Sequence, residues 1–368
     1  MQFPNVDPIP IPAPVWLMKT LGLLTLSLHF FAVQVLIGSL IAVIYFSMRA
    51  GKSSNFLTAA SVVAKRLPVV MTYVINLGVP PLLFAQVLYG RALYTSSVLI
   101  GASWISVIFL VMGCYWLLYK TTDWAALGKP AYWPAAGALI LAATVGHIYS
   151  TNMTLMLRPE VWQAMYAKTA TGTGLPPHDP TTTPRLLFIL SGGLVVGGLW
   201  LTMLGNLSTI ESGIKDVLRR TGGPTATLGV LCQLGLGYLV YANQPGSVQQ
   251  GLNASMVYTV SAGVWGLGSV LVLLLGLVLG IRKTSSIPLS AAAAVSAFLG
   301  IAGAVVYRDG IRDVTLYGKG FNVWDRTEVS NWGVIVLFLL LFVIGLGVIG
   351  WLLSVVHKAD KNSEMVKI

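Results

Sequence analysis

Apolar residues come in long runs along this chain, and polar residues collect in the short intervals between them. About 20 apolar residues cross a bilayer as a helix. By that measure the pattern predicts about nine spans, at roughly 15–47, 68–90, 96–119, 131–156, 186–206, 224–243, 255–281, 287–307 and 332–356. The expected fold class is therefore all-α, a polytopic transmembrane helix bundle forming a single integral membrane domain over 1–368. The first span is long enough to tilt or to project beyond the bilayer. Pro80-Pro81 in the second removes backbone donors and predicts a kink there. Four segments are left outside the spans: a proline-rich arm at 1–14, loops at 158–185 and 308–331, and a tail at 357–368.

Composition agrees with this pattern. The chain is 55% hydrophobic and 10% charged, with a mean hydropathy of +0.78, whereas a soluble domain carries about 25% charged residues. The formal charge of +11 does not point to nucleic acid, because its lysines and arginines lie between apolar runs. Their placement sets the topology instead. With the N-terminus outside and the C-terminus inside, the inner loops and tail hold 14 of the 23 basic residues. Cys114 and Cys232 sit in apolar runs, so neither a disulfide framework nor a cysteine-rich metal site is expected, and no C-x-x-C-H offers covalent haem attachment.

Candidate chemistry lies in the few polar residues inside the spans: His29, Gln34, Asn76, Gln86, His147, Asn152 and Gln233. All twelve acids read as loop or span-end residues, an arrangement unlike that of proton-coupled carriers. His29, in LSLHFFAVQVLIG, has no carboxylate near it in sequence. A histidine at membrane depth binds a metal or haem iron, relays protons, or ties one helix to another. His29 lies about 14 residues from the outer face and His147 about 9, a difference of less than two helical turns. They can pair on one b-type haem, or His29 can pair with Met71, Met153 or Met156. The loop at 158–185 opens on a short amphipathic run, PEVWQAMYAK. The loop at 308–331 mixes eight charged residues with Tyr317, Phe321 and Trp324. It reads as a solvated cap, as a docking surface for an extracytoplasmic partner, or as arginines reaching haem propionates or a lipid headgroup.

LTLSLHFFAVQVLIG in the first span, NLGVPPLLFAQVLYG in the second and LSGGLVVGG in the fifth together resemble subunit I of the cytochrome bd-type quinol oxidases. The resemblance covers roughly 15–205, and the later spans add only topology. It implies a nine-span, N-out bundle in which His29 stands where the family ligates an active-site haem. Three features depart from the family. Its span-five haem histidine is replaced near Phe188, its span-three glutamates are missing from ASWISVIFLVMGCYW, and its long quinol loop is shortened to NQPGSVQQGLNAS.

What the resemblance implies is a reduced relative, an oxidoreductase subunit lacking a complete quinol-oxidation or oxygen-reduction site. The expected role is a multi-pass subunit of a respiratory electron-transfer complex in the bacterial inner membrane. It would carry haem b on His29 and, as second choice, His147. Electrons would pass between a quinone or another membrane subunit and an extracytoplasmic c-type cytochrome. The rival readings are a haem-free scaffold, a transporter and an intact terminal oxidase.

Overall fold

The computed structural model describes residues 3, 10–282, 284 and 286–365, with backbone alone at 349, 352–353 and 356–365. Most of the arm, with Asp7, and also Lys283 and Lys367 lie outside the described residues. Twelve helices follow in order: α1 (Val15–Met48), α2 (Ser54–Ala64), α3 (Leu67–Leu99), α4 (Gly101–Ala126), α5 (Tyr132–Leu155), α6 (Pro159–Lys168), α7 (Thr182–Leu204), α8 (Ser212–Ala242), α9 (Gly246–Ala254), α10 (Met256–Ile281), α11 (Ile287–Tyr317) and α12 (Trp332–Met365). The fold is 83% helical, with one isolated bridge, Ile11 to Glu328, among the described residues. Among the described residues seven segments are long and apolar enough to cross a membrane, where the sequence pattern gives about nine. The chain is a multi-pass membrane protein.

The bundle is organised around α1, which packs against α2, α3, α5, α7 and α11. In its most apolar 18-residue stretch 67% of residues are buried, against 50% or less in the other spanning segments. That burial rests on small residues. Gly38 on α1 faces Gly193 and Gly197 on α7, and a Cβ at Gly197 would run into the Gly38 backbone. Such glycines let two helices meet backbone to backbone, the usual basis of association in lipid. One apolar cluster closes the end where α1 begins, drawing in Phe3, Ile11, Trp162 and Phe321. Another closes the opposite end around Leu40, Phe46, Leu67 and Leu118.

Three elements differ from the sequence pattern. First, helical dihedrals run through Pro80 and Pro81, and the interruption of α3 falls at Tyr89 (φ −120°, ψ 19°). Second, α4 follows α3 after the single residue Ile100. That turn is covered by the segment after α6, where Gly174 N–H donates to the Leu99 carbonyl at 3.2 Å and Ala102 N–H to Gly172 at 3.0 Å. Third, α11 continues ten residues past the predicted span end. Arg308, Asp309, Arg312 and Asp313 are therefore helical rather than part of a solvated loop, and the loop proper begins after Tyr317.

The described part of the arm lies on that loop. Ile11 N–H donates to Thr327 and its carbonyl accepts from Val329, at 2.9 and 3.0 Å. Glu328 accepts from the Val15 N–H at 2.8 Å, placing a carboxylate on the first free donor of α1. α6 joins the same cap through Glu160, which accepts from Lys319 Nζ at 2.7 Å. Partial burial opposes ionisation of Glu160, but the Lys319 hydrogen bond and charge outweigh it and hold the carboxyl below its ordinary value. A lowered folded-state pKa stabilises above the unfolded value and is lost as pH falls through the folded one. The stability difference between wild type and Lys319→Ala is expected to be present at neutral pH and to fade in acid below about 4.5. It is expected to be small and salt-dependent because the pair is exposed. Thermal unfolding across pH checks this.

Candidate functional site

Phe30 follows His29 on α1, and together they separate two adjoining cavities inside the bundle. The first, about 390 Å³, is bounded by α1, α3, α4, α5, α7 and α11 and has His29 in its wall. The second, about 490 Å³, lies between α5, α7, α8, α10 and α11. Phe30, Met153, Ile189 and three arginines, Arg185, Arg308 and Arg312, line both.

His29 lies 14 positions into α1, about 21 Å along its axis. Its Nδ1 is 3.0 Å from the Val74 carbonyl of α3. A carbonyl oxygen only accepts, so Nδ1 carries the proton and Nε2 keeps a lone pair. Nε2 makes no hydrogen bond among the described residues. Gly78, one turn beyond Val74, makes room for the ring: a Cβ there would come 2.8 Å from His29 Cε1. The backbone of α3 thus fixes both the tautomer and the tilt of this imidazole. Met71 and Met153 share its cavity, while Met156 lines the other.

His147 is placed differently. Its side chain is exposed on α5 and lines neither cavity, whereas Gly146, Tyr149 and Ser150 turn inward toward His29. The structure does not bring the two histidines together: the helical phase of α5 turns His147 away from the first cavity. Asn76 also faces outward. Gln34, Asn152 and Gln233 are buried, Asn152 meeting Ser97 Oγ at 3.2 Å and Gln233 the Phe188 carbonyl at 3.2 Å. No group of three or more His, Cys, Asp or Glu side chains suited to a metal ion occurs among the described residues.

A charged cluster at the arm end of the first cavity is absent from the sequence reading. Lys19 Nζ, on α1, lies 2.7 Å from Asp309 of α11, also pairs with Asp313, and donates to Tyr89 Oη of α3 at 3.0 Å. Tyr89 donates to Asp313 at 2.6 Å, and the Arg312 guanidinium, paired with Asp309, lies 3.7 Å from the Tyr89 ring centre. Lys19 and Asp309 are 8% and 3% exposed, so a carboxylate does lie within a spanning helix. It is tolerated because two cations neutralise it. The signal was the i, i+3 and i, i+4 spacing of Asp309, Arg312 and Asp313, which places them on one helical face. Arg185 is 8% exposed and donates to Thr154 Oγ1 and Thr181 Oγ1 at 3.1 and 2.9 Å.

No family model matches this chain, and no curated protein matches it in sequence. A solved structure does: the bd oxidase from Geobacillus thermodenitrificans, with a TM-score of 0.64 at 9% identity, over 91% of this chain and 96% of that one. This chain has the fold of a bd oxidase chain. At 91% of the chain the similarity in fold extends beyond residues 15–205 and takes in the later helices. Phe188 lines the second cavity against Trp265, with ring centres 5.8 Å apart. The segment NQPGSVQQGLNAS between α8 and α10 contains helix α9.

Proposed function

We propose that this chain is a membrane subunit of a bacterial respiratory electron-transfer complex that holds one b-type haem on His29. The supporting observation is the state of that imidazole. Metal-bound histidines commonly donate their second ring nitrogen to a carbonyl or carboxylate, which fixes the tautomer and leaves the other lone pair for the metal. The Val74 carbonyl does this for His29, with Nε2 unpartnered beside a cavity. The cavity falls in the size range of ligand pockets, about 300–1,000 Å³, and away from the charged arm end its wall is mainly apolar and aromatic, with the thioethers of Met71 and Met153.

A b-type haem in this cavity would supply one-electron transfer. The residues would position it: Gly78 seats the His29 ring, and the apolar clusters at the two ends of the bundle flank the cavity. Electron exchange would be with a quinone or another subunit on one side and an extracytoplasmic cytochrome on the other. The fold similarity supports the membrane subunit, and the partners are part of the proposal.

The haem-free scaffold is favoured by one observation, that the Val74 hydrogen bond is itself an interhelical tie. Pyridine haemochrome analysis of the purified protein separates the two. About one b-type haem per chain supports the proposal. A colourless, folded protein overturns it and leaves the scaffold.

A further inference from the structure

We infer that the larger cavity binds a second ligand, an amphipathic anion whose phosphate or carboxylate head rests on Arg308 and Arg185 and whose apolar body fills the space between α8, α10 and α11. Charge carries the first part of the inference. Where the two cavities meet, four cations, Lys19, Arg185, Arg308 and Arg312, stand against the carboxylates of Asp309 and Asp313. The next acid, Asp179, accepts from Thr181 Oγ1, which accepts from Arg185, so its charge reaches Arg185 through one hydroxyl. It also lies 3.8 Å from Arg158, a cation outside this set. Lys19 and Arg312 use both carboxylates. Arg185 has only threonine hydroxyls as hydrogen-bond partners. Arg308 has no hydrogen bond or ion pair among the described residues, and the part of its side chain left accessible lines the two cavities. Arg308 without a direct ion pair, and Arg185 with its nearest carboxylate one hydroxyl away, are costly at a low-dielectric site, and an anion would offset that cost.

The cavity itself carries the second part. Away from the arginines its wall is mainly apolar, interrupted by Gln34, Gln233, Asn253 and Ser269. It reaches the surface of the bundle at Leu234 and Tyr238, which line it and are 37% and 68% exposed. A hydrocarbon body can therefore enter laterally from the bilayer with its head toward the arginines. A neutral ligand would leave the excess charge uncompensated.

The inference does not require haem on His29, and the test keeps the two apart. Wild type, Arg308→Gln, Arg308→Lys and His29→Ala are purified in a zwitterionic detergent, and thermal stability is followed during titration with phosphatidylglycerol, oleate or phosphatidylcholine. Phosphatidylglycerol or oleate is expected to raise the Tm of wild type and His29→Ala, while phosphatidylcholine does not. Arg308→Gln is expected to need about tenfold more anion or greater, the loss of one charge-assisted hydrogen bond, with Arg308→Lys in between. Without lipid, Arg308→Gln is expected to be no less stable than wild type, because Arg308 has no protein partner to lose. An equal response of wild type and Arg308→Gln to the anions, or an equal response to phosphatidylcholine, overturns the inference. So does a loss of haem in Arg308→Gln with no lipid response, which would assign the arginines to porphyrin carboxylates.

Discussion

Lys19→Met is expected to destabilise the bundle by about 3–5 kcal/mol, the usual cost of removing one member of a buried ion pair. Lys19 is the only cation that α1 brings to Asp309 and Asp313 among the described residues, and both carboxylates are held within the bundle. Without it, Asp313 keeps the Tyr89 hydroxyl and Asp309 keeps Arg312. One negative charge then has no direct ion-pair partner at a poorly hydrated site. The same side chain ties α1 to α3 and α11, so its loss is expected to loosen the arm end as a whole. Denaturant unfolding in detergent measures the effect. Lys19→Met/Asp313→Asn is expected to recover much of the loss, because the double variant removes the orphaned charge as well as its partner. A neutral Lys19→Met, or a double variant no better than the single, would mean that water already screens the cluster.

Much of the fold was legible in the sequence because lipid permits so few solutions. A chain with long apolar runs must satisfy its backbone within helices, so run length gives the helical bundle. Seven segments of spanning length and hydropathy stand among the described residues against the nine expected. Which face of each helix turns inward was much less legible. α1, α3 and α5 are apolar nearly all round, which leaves no amphipathic stripe to set the helical phase. His29 and His147 therefore looked equivalent by depth, and only packing separates the inward ring from the outward one. The end of α11 was misread for a related reason. Four charged residues lower the local hydropathy to that of a loop, and the partner that makes them tolerable, Lys19, lies 294 positions from Asp313. The kink was assigned to Pro80-Pro81, whose missing donors the helix absorbs. It falls at Tyr89, whose hydroxyl is held by groups on α1 and α11.

His29→Ala is expected to abolish haem binding while sparing the fold. Its structural part is one interhelical hydrogen bond to Val74, worth about 0.6 kcal/mol on average in membrane bundles. Its proposed functional part is the iron–nitrogen bond, for which no other histidine among the described residues lines either cavity. His147→Ala removes a side chain that faces outward and is expected to leave the cofactor in place. The decisive measurement is the reduced-minus-oxidised spectrum of wild type, His29→Ala and His147→Ala, each purified as a folded protein and compared at equal concentration. The expected result is a b-type band in wild type and His147→Ala that is lost in His29→Ala. A band unchanged in His29→Ala, or one lost only in His147→Ala, would contradict a haem seated on His29.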